Sequence, residues 1–217
     1  MYLPAHFEET RPEVLQPLLS AHPLGLLVTQ DQAGGLAANS LPFLLEPDPA
    51  GGPGILRGHV ARANPLWRES RSDVDALVVF QGPQAYISPS MYPSKAATGK
   101  VVPTWNYSMV QARGPLRAID DADWLRAFVT RLTERHEAQR PVPWAVSDAP
   151  DDYIHAMLRA IVGIEIRLSS LRGKLKLSQN RTRPDQEGVV YGLRSQGGAE
   201  AEAMAQAVEQ ASLLPNK

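Results

Sequence analysis

Apolar residues in this chain come in short runs, each closed by proline or glycine, and none approaches the roughly 18 residues of a membrane-spanning helix. That pattern restricts the fold to many brief strands and a few helices joined by tight turns. The punctuation is dense, with 19 prolines and 16 glycines in 217 residues. The clearest run is 161–169. There Ile164, Ile166 and Leu168 alternate with Glu165 and Arg167, the period of a strand with one buried face, as antiparallel sheets have.

Other elements follow from local signals. In Thr10-Arg11-Pro12-Glu13 a threonine cap, a first-turn proline and a capping-box glutamate precede the apolar face Val14, Leu15, Leu18 and Leu19. Strands are expected over 24–29, 36–45 and 55–60, with Pro42 implying a bulge or an edge. Asn64-Pro65 opens a short helix as cap and first residue. Strands over 76–80 and 84–88 flank Gly82-Pro83, and 89–103 reads as a long loop. Extended structure resumes over 105–117 and breaks at Gly114-Pro115. A long helix starts at Asp120 or Asp121, with Trp124, Leu125, Phe128 and Leu132 at helical spacing; further helices cover 151–158 and 199–213. Strands with helices inserted, and no regular βαβ alternation, predict an α+β chain built on an antiparallel barrel.

Composition removes several function classes. Lys and Arg number 22 against 23 Asp and Glu, a net charge of −1, which lacks the footprint of a dedicated nucleic-acid binder. No cysteine is present, so disulfides, thiolate metal sites and cysteine nucleophiles are excluded. The five histidines show no metal-ligand spacing, so no metal site is expected. There is no nucleophile elbow, and no glycine-rich phosphate turn follows a strand. The first residues carry no basic segment leading into an apolar run, so a cytoplasmic protein is expected.

Three segments concentrate cations in this near-neutral chain. In Arg57-Gly58-His59-Val60-Ala61-Arg62-Ala63-Asn64-Pro65 a strand ends at a helix start, where outward N–H groups and a forked arginine suit an anion. By itself the segment favours a plainer reading, with Arg62 a solvated arginine and Asn64 only a cap. In Gly99-Lys100-Val101-Val102-Pro103-Thr104-Trp105-Asn106-Tyr107, Lys100 suits a phosphate while Trp105 and Tyr107 either flank a planar ring or pack beneath the loop. The run 172–183 holds Arg172, Lys174, Lys176, Arg181 and Arg183 with no acid, which suits a concave anion site or a nucleic-acid patch.

The ordered set Met1-Tyr2-Leu3-Pro4-Ala5-His6-Phe7, Gly58-His59-Val60-Ala61-Arg62-Ala63-Asn64-Pro65, the stretch from Tyr86-Ile87-Ser88-Pro89 to Thr104-Trp105-Asn106-Tyr107, and Gly173-Lys174-Leu175-Lys176-Leu177-Ser178-Gln179-Asn180-Arg181 resembles the PaiB family of FMN-binding negative transcriptional regulators. The resemblance runs over about residues 1–195 and implies an FMN-binding split barrel of the pyridoxamine-phosphate-oxidase type with peripheral helices, 196–217 being a separate C-terminal helix or tail. It further implies a homodimer holding FMN between subunits. Carried onto this sequence, Arg62 and Asn64 meet the cofactor phosphate; Lys100, Thr104, Trp105 and Asn106 lie near phosphate or ring; Lys176, Gln179 and Asn180 belong to the most distinctive motif.

Two readings of function follow: an FMN-binding, homodimeric, PaiB-like transcriptional regulator, or an FMN-dependent oxidoreductase resembling flavin reductases or pyridoxamine-phosphate oxidases. The absence of an acid–base pair beside the expected site favours the regulator. Direct DNA binding rests only on 172–183. Haem is the other cofactor to weigh, with His59 as its candidate ligand.

Overall fold

A computed structural model describes residues 1–213; the last four residues of the expected tail, 214–217, lie outside the described residues. The chain divides into two compact units, each assembled from distant stretches of sequence. One takes residues 1–21, 81–110 and those from Arg172 onward; the other takes 22–80 and 111–171. The long strands β6 (Ala76–Ile87) and β7 (Thr104–Gly114) contribute one end to each.

In the first unit the strand order is β1 (Glu8–Glu9), β10 (Ser170–Lys176), β7, β6. β1 runs antiparallel to β10, with Glu8 opposite Lys174. Helix α1 (Pro12–Ala21) buries Leu15 and Leu19, as its apolar spacing requires. A 3-10 turn (Pro89–Met91) and α3 (Ser94–Thr98) occupy the stretch expected to be loop. Two packed helices, α6 (Arg183–Gln196) and α7 (Ala199–Leu213), are joined by Gly197-Gly198, both at positive φ. Ile87, Tyr92, Leu177, Val189, Leu193, Met204 and Val208 make one core beneath these helices.

In the second unit β2 (Leu24–Gln30) pairs antiparallel with β3 (Leu36–Pro42) and with β6, setting Leu26 opposite Ser40 and Val79. Pro42 closes an end strand, as a residue without an N–H should. A second sheet, in the order β4 (Leu44–Glu46), β5 (Ile55–Ala61), β9 (Ile161–Arg167), β8 (Leu116–Ile119), is antiparallel throughout. The alternation read in 161–169 holds: Ile164 and Ile166 are fully buried. Helix α2 (Leu66–Glu69) follows β5. Helix α4 (Ala122–Glu137) starts at Asp121, whose carboxylate accepts from the Trp124 N–H at 2.7 Å. Leu125 of α4 packs with Ile154 and Leu158 of α5 (Asp151–Arg159).

Two expectations need correcting. The strands predicted at 76–80 and 84–88 are one strand, β6. Its buried positions change parity across Gly82-Pro83, from Ala76, Val78 and Phe80 to Ile87, the mark of an extra residue in the pleat. The proline thus shifts the strand instead of ending it. Helix α6 has no counterpart in the sequence reading, because Gly188 and Gly192 weaken its helical pattern. No helix among the described residues is long and apolar enough to cross a membrane.

Candidate functional site

Strand alternation decides how the second cationic segment is used. Thr104 and Asn106 point to one face of β7, while Trp105 and Tyr107 point to the other. On the inner face the Lys176 ammonium donates to the Thr104 hydroxyl at 2.5 Å, and the buried Asn106 side-chain amide donates to the Ser178 hydroxyl at 2.9 Å. Gln179 closes the turn after β10: its carbonyl oxygen accepts from the Leu177 N–H at 2.7 Å, and its amide donates to the Leu175 carbonyl. Lys176, Thr104, Asn106 and Gln179 therefore come together, with Ser178 between them. Asn180 and Lys100 are exposed.

The outer face is aromatic. Trp105 is half exposed, lies edge-on to Tyr86 with ring centroids 6.1 Å apart, and donates its indole N–H to the Gln84 carbonyl oxygen at 3.3 Å. Gln81, Gly82, Gln84, Trp105, Tyr107 and Met109 line a hollow of about 170 Å³. The Lys174 ammonium sits over the rings of Tyr2 and Tyr107, at 5.6 and 5.5 Å from their centroids.

Arg62 and Asn64 belong to the second unit. Asn64 caps: its carbonyl oxygen accepts from the Leu66 N–H at 3.0 Å, and its amide donates to the Asn39 side chain at 2.9 Å. The Arg62 fork holds both carboxylate oxygens of Asp120, at 2.8 and 2.5 Å, and also donates to the carbonyls of Arg159 and Ile161. That bidentate bond holds the Asp120 carboxyl below its ordinary range. Arg62 is thus a paired arginine that braces the strand-to-helix turn.

The run 172–183 does not present one cationic face. Arg172 pairs with Glu8, Lys174 with tyrosine rings, Lys176 with Thr104 and Arg183 with Glu187, while Arg181 covers the Tyr92 ring at 4.8 Å. Each of these cations has its own local partner within the chain. Two buried atoms among the described residues have no hydrogen-bond partner, His59 Nδ1 and the Tyr92 hydroxyl. Burial pushes the His59 imidazole down and the Tyr92 phenol up, the latter opposed by Arg181 and Ser178.

A phosphorylated flavin needs a fixed cation with hydroxyl or amide donors for its phosphate, and aromatic or apolar walls for its ring. The first unit supplies both sets, Lys176 with Thr104 and Asn106 on one face and Trp105 with Tyr86 on the other, so these residues fit the group. The sequence did not point to Gln84, and it offered Ser178 only as part of the motif Gly173–Arg181, not as a site residue. Gln84 follows a Gly-Pro pair that reads as a turn, and a serine in left-handed backbone leaves no sequence signal.

Comparison with known proteins bears on this site. Residues 1–170 match the family described as "Putative FMN-binding domain". The chain is 32% identical to the protease synthase and sporulation protein PAI 2 of Bacillus subtilis, over 96% of this chain and 97% of that protein. It is 34% identical to an uncharacterized protein of Aspergillus fumigatus, over the whole of both. Among solved structures it resembles the FAD and heme binding protein from Mycobacterium smegmatis (TM-score 0.57, 18% identity, 88% of this chain and 80% of that one). It also resembles the flavocytochrome Anf3 from Azotobacter vinelandii (TM-score 0.54, 15% identity, 82% and 71%). At these identities the structural likeness establishes the fold.

Proposed function

Given that this chain belongs to the PaiB family of FMN-binding proteins, we propose that it is a homodimeric regulator that holds FMN through residues of its first unit. The observation that carries this reading is the pairing of Lys176 with Thr104, one residue from the half-exposed Trp105 on the reverse side of the same strand. Lys176 and Thr104 hold the phosphate, with Lys100 as a second cation. Asn106, Gln179 and Asn180 frame the turn that carries Lys176. Trp105 and Tyr86 cover the ring.

Alternation along β7 also supports two copies. The polar face of β7 is buried within its own chain, whereas the half-exposed Trp105 and Tyr86 leave an aromatic face open to a second copy. The second unit offers a surface for such pairing. Leu24, Leu26, Leu36, Ala38, Leu77 and Val79 share one face of β2, β3 and β6, and Leu24, Leu26 and Leu36 are exposed. A contiguous apolar sheet face of this kind is the usual mark of a protein interface. The whole domain then reads as a split barrel with peripheral helices, α7 forming a C-terminal annex.

Bound FMN would supply redox chemistry or a redox-sensitive signal. The protein's part is to neutralise the phosphate, stack the ring and exclude water from it. The Bacillus relative is named for protease synthesis and sporulation, which supports a regulatory role over a metabolic one. Titration of the purified protein with FMN, followed by flavin fluorescence, tests the site. Lys176→Ala and Trp105→Ala are each expected to weaken binding about tenfold or more. Wild-type affinity in both variants would refute the assignment. NADH or NADPH oxidation by the flavin-loaded protein well above that of free FMN would favour an oxidoreductase instead.

A further inference from the structure

We propose that Ser178 is a positioning residue for the cofactor site, fixing Asn106 and, through it, the Lys176–Thr104 pair. The inference rests on the FMN reading above. Ser178 has φ of 63°, the one non-glycine residue at positive φ among the described residues. Glycine would adopt that conformation without strain, so a side chain there is accommodated at a cost. The hydroxyl gives that cost a purpose. It is buried, and it accepts from the Asn106 amide at 2.9 Å, joining segments 72 residues apart in sequence.

The turn itself has other supports. The Arg181 N–H donates to the Ser178 carbonyl at 2.9 Å, and Gln179 bridges Leu177 and Leu175. The backbone can therefore hold its path without the hydroxyl, which accepts from Asn106 and also faces the Tyr92 phenol. Thr104 and Asn106 are alternate residues of β7, and Lys176 and Ser178 flank Leu177. Two links set two residues apart on each segment form a clamp. Losing the Ser178 link leaves a buried amide donor unpaired, and Asn106 must turn to satisfy it, disturbing the same face that seats Thr104.

Ser178→Gly removes the hydroxyl while relieving the backbone, so its thermal midpoint is expected to stay close to that of the wild type. FMN titrations would compare wild type, Ser178→Gly, Asn106→Ala and the double variant. Each single variant is expected to bind FMN about tenfold more weakly, and the double variant no more weakly than either, because both changes break one link. Ser178→Gly binding within about twofold of wild type would overturn the proposal, as would single effects that multiply in the double variant. If Ser178→Gly does not fold, Ser178→Ala is read by the same two outcomes. A wild-type protein that leaves flavin fluorescence unchanged would refute the FMN reading itself and this proposal with it, whereas normal wild-type binding beside an unaffected Ser178→Gly refutes the positioning role alone.

Discussion

Arg62 illustrates how far a charge can be read from sequence. The residue type and its place before a helix are visible, but its partner Asp120 lies 58 positions away and is brought in by folding. Because four of its bonds are already made, Arg62 reaches a phosphate only in competition with Asp120. Asp120→Asn is therefore expected to leave FMN affinity within about twofold of wild type, measured by titration; a severalfold gain would bring Arg62 into the phosphate site. His59 makes a separate prediction. Burial holds its imidazole below the ordinary 6.5 in the folded chain, so below that pH the unfolded chain binds the proton more readily. Stability is then full above about pH 6.5 and falls as pH drops toward the folded value, with His22 acting in the same direction. Thermal melts from pH 8 to pH 5 should show the decline, and His59→Leu should flatten part of it. Asp48 adds a more acidic limb. Arg167 holds it at about 2, so its contribution is present above 3.8 and disappears as pH falls through 2.

Helix α6 shows why elements are harder to read than their residues suggest. Its two glycines lower helical propensity, yet each lies against the 3-10 turn after β6. A Cβ on Gly188 would sit 2.3 Å from the Met91 carbonyl oxygen, and one on Gly192 would meet the flexible Met91 side chain at 2.6 Å. Propensity alone predicts that alanine at either site stabilises by about 1 kcal/mol. Packing reverses that at Gly188. Gly188→Ala is expected to cost about 1–3 kcal/mol, several degrees in melting temperature, while Gly192→Ala stays near neutral, both measurable by calorimetry. The strands with a clean period were legible: Ile164 and Ile166 alternate in the sequence as they do in β9, and Asp121 caps α4 as its position indicates. What the sequence hid were contacts between distant segments, the close approach at Gly188 and the clamp between Thr104–Asn106 and Lys176–Ser178. Lys176, Thr104, Asn106 and Gln179 were legible as a set through family resemblance, whereas their division from Trp105 by the pleat of β7 appears only once the strand boundaries are known.

At the scale of the whole molecule, the exposed leucines of β2 and β3 carry the prediction. If two copies pair through this face, Leu26→Lys places a charge in a desolvated surface and should yield monomer by analytical ultracentrifugation at concentrations where wild type is dimeric. FMN affinity should fall with it, since the ring and phosphate partners then lose their second copy. The displaced pleat of β6 bears on this arrangement too. Without that shift, the in–out rhythm of Ala76, Val78 and Phe80 would run on through the same residues to Ile87. Tyr86 would then be driven into the hydrocarbon interior and Ile87 out into water, stripping the indole of Trp105 of its aromatic neighbour. That dipeptide works as a reading-frame insertion written in space, and the ring-facing wall exists on its present side because one surplus residue puts it there.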